Sequence, residues 1–267
     1  MHENTYTGPW LSAVRPRPAA PVGRMVVLPH SGAGPNALLA LLRRLPADLE
    51  VLGLTLPGRE RRFAEEYAGL PGAAEQMAGS ILDELHALPA LPTVLFGHSL
   101  GACLAVAVGL AAPKGFRALV ISGHAFDESR LAEQNAVFTE PELLSVLRLG
   151  TGTPAEFLED PSMRAHILGV LGSDLSLGRR LAHLNALALT SGRRLSAPLV
   201  VLGGAQDQLV DAARLPRWEP FAAAGMRLRT FEGGHFYLLD DGTADEVAGE
   251  LVDAFDAEPA DVPELVA

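Results

Sequence analysis

The chain has 267 residues, 48% hydrophobic and 20% charged, with 21 lysines and arginines against 32 aspartates and glutamates. This composition is too apolar for general disorder, and a net charge of −11 argues against nucleic acid or an anionic membrane surface as the main partner. A single cysteine, Cys103, excludes an internal disulfide framework and a cysteine-rich metal site.

The first 23 residues are rich in proline and arginine and read as an arm lying on the body; they lack the apolar run of a secretory signal. Leu100 to Ala112 is the most apolar long stretch. It falls short of the roughly 20 residues of a membrane span and suits a buried helix. A cytoplasmic protein without membrane attachment is expected.

From Arg24 onward, strand and helix signals alternate. Arg24–Pro29 (RMVVLP) predicts a buried strand, followed by the turn His30–Gly34 and a helix from Pro35 to Leu45. Glu50–Leu56 is the next strand, and Pro57–Leu70 a loop containing PGRERR at 57–62. A helix is predicted over Gly72–Ala87, where apolar residues at 74, 77, 78, 81, 82 and 85 mark one face. Thr93–Phe96 predicts a strand, Ser99–Ala112 a helix and Phe116–Ile121 a strand. Pro198–Leu202 and Met226–Phe231 are further strands, Ala244–Phe255 a final helix, and 257–267 a flexible acidic tail. The fold class is therefore α/β, a mostly parallel sheet with helices on both faces. Residues 127–195 carry helix formers and no convincing strand. They are expected to be a helical insertion over the ligand crevice of one domain spanning 1–267.

Gly97-His98-Ser99-Leu100-Gly101 matches G-x-S-x-G between a strand and a helix, the context of a nucleophile elbow. A nucleophilic serine needs a base, and the base an orienting acid. His235 follows the strand MRLRTF and Asp207 follows PLVVL, so Ser99, Asp207 and His235 fall in the chain order of α/β-hydrolases. Asp127, also after a strand, competes for the acid role; Asp211 reads as a helix-starting residue. Among the other seven histidines, His98 is expected to be structural, and His30, in the first turn, reads either as structural or as shaping the pocket. His124 is a candidate for the pocket wall, while His2, His86, His166 and His183 lack a strand-end position with a matching partner. The oxyanion hole is expected from the backbone N–H groups of Leu100 and Ser31. No G-x-x-x-x-G-K phosphate loop is present. Cys103 reads as core. Arg59, Arg61 and Arg62, and the pairs Arg43-Arg44, Arg179-Arg180 and Arg193-Arg194, read either as solvated charge or as a patch for an acidic partner.

These pieces together resemble the discrete type II thioesterases that accompany polyketide synthases and non-ribosomal peptide synthetases. The likeness rests on Pro9-Trp10-Leu11, Leu28 to Gly32, Leu56 to Glu60 (LPGRE), Phe96 to Gly101, Gly203 to Asp207, and Gly234-His235-Phe236. The first turn reads PHSGAG where that family usually has PHAGG, and 172–175 keeps its aspartate–leucine pair. The resemblance implies an α/β-hydrolase fold with a helical lid at 127–195, with Ser99 as nucleophile, His235 as base and Asp207 as orienter. It also implies release of acyl groups from the phosphopantetheine of acyl or peptidyl carrier proteins bound transiently. No metal or other cofactor is expected. His30, Arg59, Arg61 and Arg62 are the candidate substrate or carrier contacts. A general carboxylesterase or lipase, or a silent hydrolase-fold binding module, are the alternatives.

Overall fold

A computed structural model describes residues 6–66, 73–112, 114–129, 138–150 and 155–257. Its strands are β1 (Leu11–Ala13), β2 (Gly23–Leu28), β3 (Leu49–Leu54), β4 (Thr93–His98), β5 (Ala118–Ser122), β6 (Leu199–Gly204) and β7 (Met226–Phe231). They form one sheet in the order β1-β3-β2-β4-β5-β6-β7. Only β1 runs antiparallel to its neighbour; the other pairs are parallel. With helices on both faces, this is an α/β-hydrolase fold, as the alternation of elements predicts.

β2 to β6 are buried along their whole length. That is why they read as continuous apolar runs. Their side chains still alternate between two cores. Val26, Leu28, Leu95, Leu119 and Val201 face α2 (Ala73–His86), α3 (Leu100–Ala111) and α6 (Pro161–Thr190). Met25, Val27, Phe96, Val120 and Val200 face α1 (Leu39–Leu42) and α7 (Asp241–Asp253). β7 is an edge strand, and its exposed Arg227 and half-buried Arg229 pair with Glu246 and Glu250 of α7. Such charges discourage edge-to-edge pairing.

α3 is buried nearly all round because α2 and α6 cover the side that the sheet does not. Among its described residues, the expected helical insertion carries α4 (Glu140–Gly150), α5 (Ala155–Glu159) and α6. α6 starts where Asp160 accepts the amide of Met163 at 2.8 Å, with Pro161 in the first turn. Its first half joins Leu143 in a satellite cluster through Leu168 and Leu171; its second half packs on α3, where Asn185 donates to the Cys103 carbonyl at 2.7 Å. Cys103 is core, as expected. No helix among the described residues is long and apolar enough to cross a membrane.

Some boundaries differ from the sequence reading. The arm contains β1, tied down by Glu84, which accepts from the Tyr6 hydroxyl and the amides of Trp10 and Leu11. The predicted helix over Pro35–Leu45 is a 3₁₀ turn, Pro35–Leu38, followed by the single turn of α1. The last helix begins three residues before the predicted Ala244. The tail beyond residue 257, His2, and parts of the arm, of the 57–70 loop and of the insertion lie outside the described residues.

Candidate active site

The site is built at the C-terminal ends of neighbouring strands. β2 and β4 are paired, Leu28 opposite Gly97, so the turn after β2 and the turn after β4 emerge side by side. Ser99 has φ 56° and ψ −111°, outside the regions that an L-residue favours. Holding such a backbone costs about 1–3 kcal/mol, and the surroundings impose it. The Ser99 amide donates to the Ser122 carbonyl at 2.8 Å, while its carbonyl accepts from Ala102 at 3.0 Å. Gly101 is required because a β-carbon there would lie 1.8 Å from the Leu28 carbonyl oxygen. Leu100 opens α3, so its N–H has no carbonyl four residues back within the helix to bond to.

β6 and β7 deliver the other two residues. The loops after them are laced together: the Gln206 amide donates to the Gly233 carbonyl at 2.9 Å, and its side-chain amide to Glu232 at 2.8 Å. His235 Nδ1 lies 2.7 Å from Asp207 Oδ2, both side chains almost fully buried. The other carboxylate oxygen, Oδ1, accepts from the amides of Leu209 and Val210 at 2.8 and 3.0 Å. A carboxylate fixed in this way holds the proton on Nδ1 and leaves Nε2 as the basic nitrogen.

Behind His235 stands a layer that sequence reasoning missed. The ring of His98 lies 4.9 Å from that of His235, and its Nδ1 is hydrogen-bonded with the Ser122 hydroxyl at 3.0 Å. Ser122 in turn is hydrogen-bonded with the Tyr237 hydroxyl at 2.6 Å. Burial pushes the Tyr237 phenol up, and it stays neutral. Burial, with His235 and His30 beside it, holds the His98 imidazole well below its ordinary value. His98 is therefore structural, as expected, but it braces the base directly. His30 packs edge-on against Phe236, ring centroids 4.6 Å apart, and against His98 at 5.7 Å. Burial, then the nearby charges of His235 and Arg59, bring its pKa down to about 4. It is a neutral wall of the site at working pH.

Arg59 is not an exposed carrier contact, and that expectation is corrected. It is 6% exposed and forms a two-pronged ion pair with Asp174 of α6, at 2.5 and 2.8 Å. Asp174 is fully buried, and its Oδ2 also accepts the Gly32 amide at 2.6 Å. Gly32 adopts φ +83°, the left-handed region that favours glycine. Next to Arg59, Glu60 accepts the Asn36 amide at 3.0 Å. The PGRE motif is thus a brace under the first turn. Removing one member of a buried pair of this kind costs about 3–5 kcal/mol. Arg62 is also committed, to Glu65, the Thr55 carbonyl at 3.0 Å and the face of Trp10. Arg61 remains exposed. The paired arginines are largely internal stitches: Arg44 with Asp241 and Asp245, Arg180 with Glu75, Arg179 over Phe138.

The rival acid Asp127 points elsewhere. Arg214 sits 2.7 Å from it and Ser129 caps it; burial raises its pKa, but these hydrogen bonds outweigh that and hold it at about 2. Asp211 accepts the Ala213 amide at 3.0 Å and starts a 3₁₀ segment, as predicted. His124 lines a cavity of about 90 Å³ together with Phe126, Asn185, Leu209 and Trp218, beside the acid loop. His166 hydrogen-bonds with the Gly58 carbonyl at 2.9 Å, and His183 is buried in α6. No cluster of three metal-ligating side chains occurs among the described residues.

An elbow serine on an α/β-hydrolase sheet, with the aspartate and histidine of a bonded pair two and three strands away, defines the serine hydrolase class. Residues 24–255 match the family model described as Thioesterase domain, and the chain belongs to the thioesterase family. It is 30% identical over 247 residues to the probable cadicidin biosynthesis thioesterase of Streptomyces griseus, covering 91% of this chain and 66% of that protein. It is 28% identical to thioesterase PikA5 of Streptomyces venezuelae, covering 89% and 83% of the two chains. The solved structure of the type II thioesterase BorB, from the borrelidin biosynthetic cluster, superposes with a TM-score of 0.72 at 26% identity, covering 94% of this chain and all of that one. The resemblance to type II thioesterases read from the motifs is borne out.

Proposed function

We propose that the protein hydrolyses acyl thioesters on the phosphopantetheine arm of acyl or peptidyl carrier proteins in a polyketide or non-ribosomal peptide pathway. Ser99 is the nucleophile, His235 the base and Asp207 its orienter. The observation that carries the reading is the 2.7 Å contact between His235 Nδ1 and Asp207, placed at the same sheet end as the strained elbow serine. The cadicidin and BorB relatives, named for biosynthetic pathways, support the substrate class.

In this mechanism Ser99 Oγ attacks the thioester carbonyl while His235 Nε2 takes its proton. The N–H groups of Leu100 and Ser31 stabilise the oxyanion, each such donor being worth about 3–4 kcal/mol. The C–S bond breaks, and the pantetheine thiolate takes the proton back from His235. Because a thiolate leaves readily, this acid step carries less of the barrier than with an amide. A water molecule deprotonated by His235 then attacks the acyl-serine. The free acid departs and Ser99 regains its proton. The chemistry calls for no metal or redox cofactor, and α4 to α6 act as the lid.

The test is a panel of acyl-loaded carrier proteins and matched oxygen esters, with the released acid detected by mass. Faster turnover of the carrier thioesters supports the proposal. Preference for free oxygen esters replaces it with a carboxylesterase, and no turnover of either points to a silent binding module.

A further inference from the structure

The turn expected to supply one oxyanion donor is not self-supporting. Ser31 precedes Gly32, and the Gly32 amide is held by a carboxylate from α6, 142 positions further along the chain. The same carboxylate is locked by both prongs of Arg59, whose Nη1 also reaches the Ala33 carbonyl at 3.3 Å. Three segments thus meet at one buried oxygen pair: the first turn, the PGRE loop and the helical insertion. Asp174 is 0% exposed, so water cannot replace it without α6 moving.

We propose that Asp174, acting with Arg59, is a positioning residue for the oxyanion hole: it holds the turn of Ser31 in its binding geometry only while α6 is seated on the body. The inference rests on the proposed function, in which the Ser31 amide binds the oxyanion. Its physical content is a coupling. If α6 lifts, Gly32 loses its acceptor and Arg59 its counter-charge, and the turn keeps its backbone contact from the Ala33 amide to the His30 carbonyl at 3.1 Å and the long contact of the now unpaired Arg59 with the Ala33 carbonyl at 3.3 Å. A lid that is open therefore switches off the hole, and hydrolysis is confined to the closed enzyme. The same logic explains why two motifs far apart in the chain, PGRE and the aspartate of the insertion, serve one catalytic feature without touching substrate.

Asp174→Asn keeps the volume and one acceptor oxygen but removes the charge that Arg59 needs. The experiment measures steady-state hydrolysis of an acyl-pantetheine thioester. It also measures binding of two analogues: a trifluoromethyl ketone, which becomes a tetrahedral oxyanion on Ser99, and the matching thioether, which has no carbonyl. The expected result is a fall in kcat of about tenfold or more with KM changed less than about threefold. The ketone should weaken by the same factor as kcat/KM, and the thioether should bind as in the wild type. Arg59→Lys, which retains the charge but not the two-pronged contact, should lose less. Unchanged kcat in Asp174→Asn, or equal weakening of both analogues, overturns the inference and leaves the proposed function standing. A wild-type chain that neither hydrolyses the thioester nor captures the ketone overturns the proposed function, and this inference with it. Should both variants fail to fold, hydrogen exchange on the wild type decides: Gly32 should open together with the α6 segment around Asp174. Free exchange at Gly32 while that segment stays protected overturns the coupling.

Discussion

Asp207 divides its two carboxylate oxygens between different tasks: Oδ2 meets His235 Nδ1 at 2.7 Å, and Oδ1 accepts the amides of Leu209 and Val210. The second set of bonds prevents the carboxylate from rotating away from the imidazole. The acid is positioned by its own loop, and it presents a fixed face to the base.

Asp207→Asn should therefore lower kcat by about 10³–10⁴-fold, because an amide in this place favours the wrong imidazole tautomer. Asp127→Asn should change kcat less than about threefold, since Asp127 is engaged with Arg214 and Ser129. Parallel kinetics on the two variants checks this. The reverse ranking would reassign the acid.

Gly101→Ala tests the packing of the elbow. Its β-carbon would fall 1.8 Å from the Leu28 carbonyl oxygen, a backbone atom in a central strand that cannot swing aside. Destabilisation of about 3 kcal/mol or more is expected, read as a lowered midpoint in urea denaturation. A variant as stable as the wild type would show that β2 and α3 are not clamped as described.

The histidine layer gives a pH dependence of stability. The folded pKa of His30, about 4, lies below its ordinary 6.5, so the unfolded chain takes up the proton first. The stability gained from keeping His30 neutral is complete above about pH 6.5 and drains away as the pH falls toward 4. The slope is at most about 1.4 kcal/mol per pH unit for one such group, and His98 adds to it in the same direction. Urea denaturation of His30→Gln should show a shallower loss between pH 6.5 and 5 than the wild type. Equal slopes would mean that His30 is not held neutral by the fold.

The parts of the site that were legible in the sequence are those where local chemistry leaves a local mark. Gly97 and Gly101 around Ser99 announce a turn that only small neighbours permit, and His235 and Asp207 each follow a valine- or leucine-bearing strand by a few residues. The parallel sheet was legible for the same reason: buried strands have no polar face to interrupt them. β1 was not, because three residues on a sheet edge carry too little pattern. Arg59 was misread because its sequence neighbours, Glu60, Arg61 and Arg62, suggest a solvated charge cluster, whereas its partner Asp174 lies 115 positions away. The Ser122–Tyr237 support behind His98 spans the same distance and was invisible likewise. Contacts that exist only after the chain has folded leave no periodicity to read.

The most direct measurement is mass spectrometry of the protein mixed briefly with an acyl-pantetheine thioester and quenched before turnover is complete. The account predicts an acyl adduct on the peptide containing Ser99 that decays as free acid appears, with neither adduct nor acid from a folded Ser99→Ala variant. Hydrolysis that persists in Ser99→Ala, or an adduct on another residue, would contradict it.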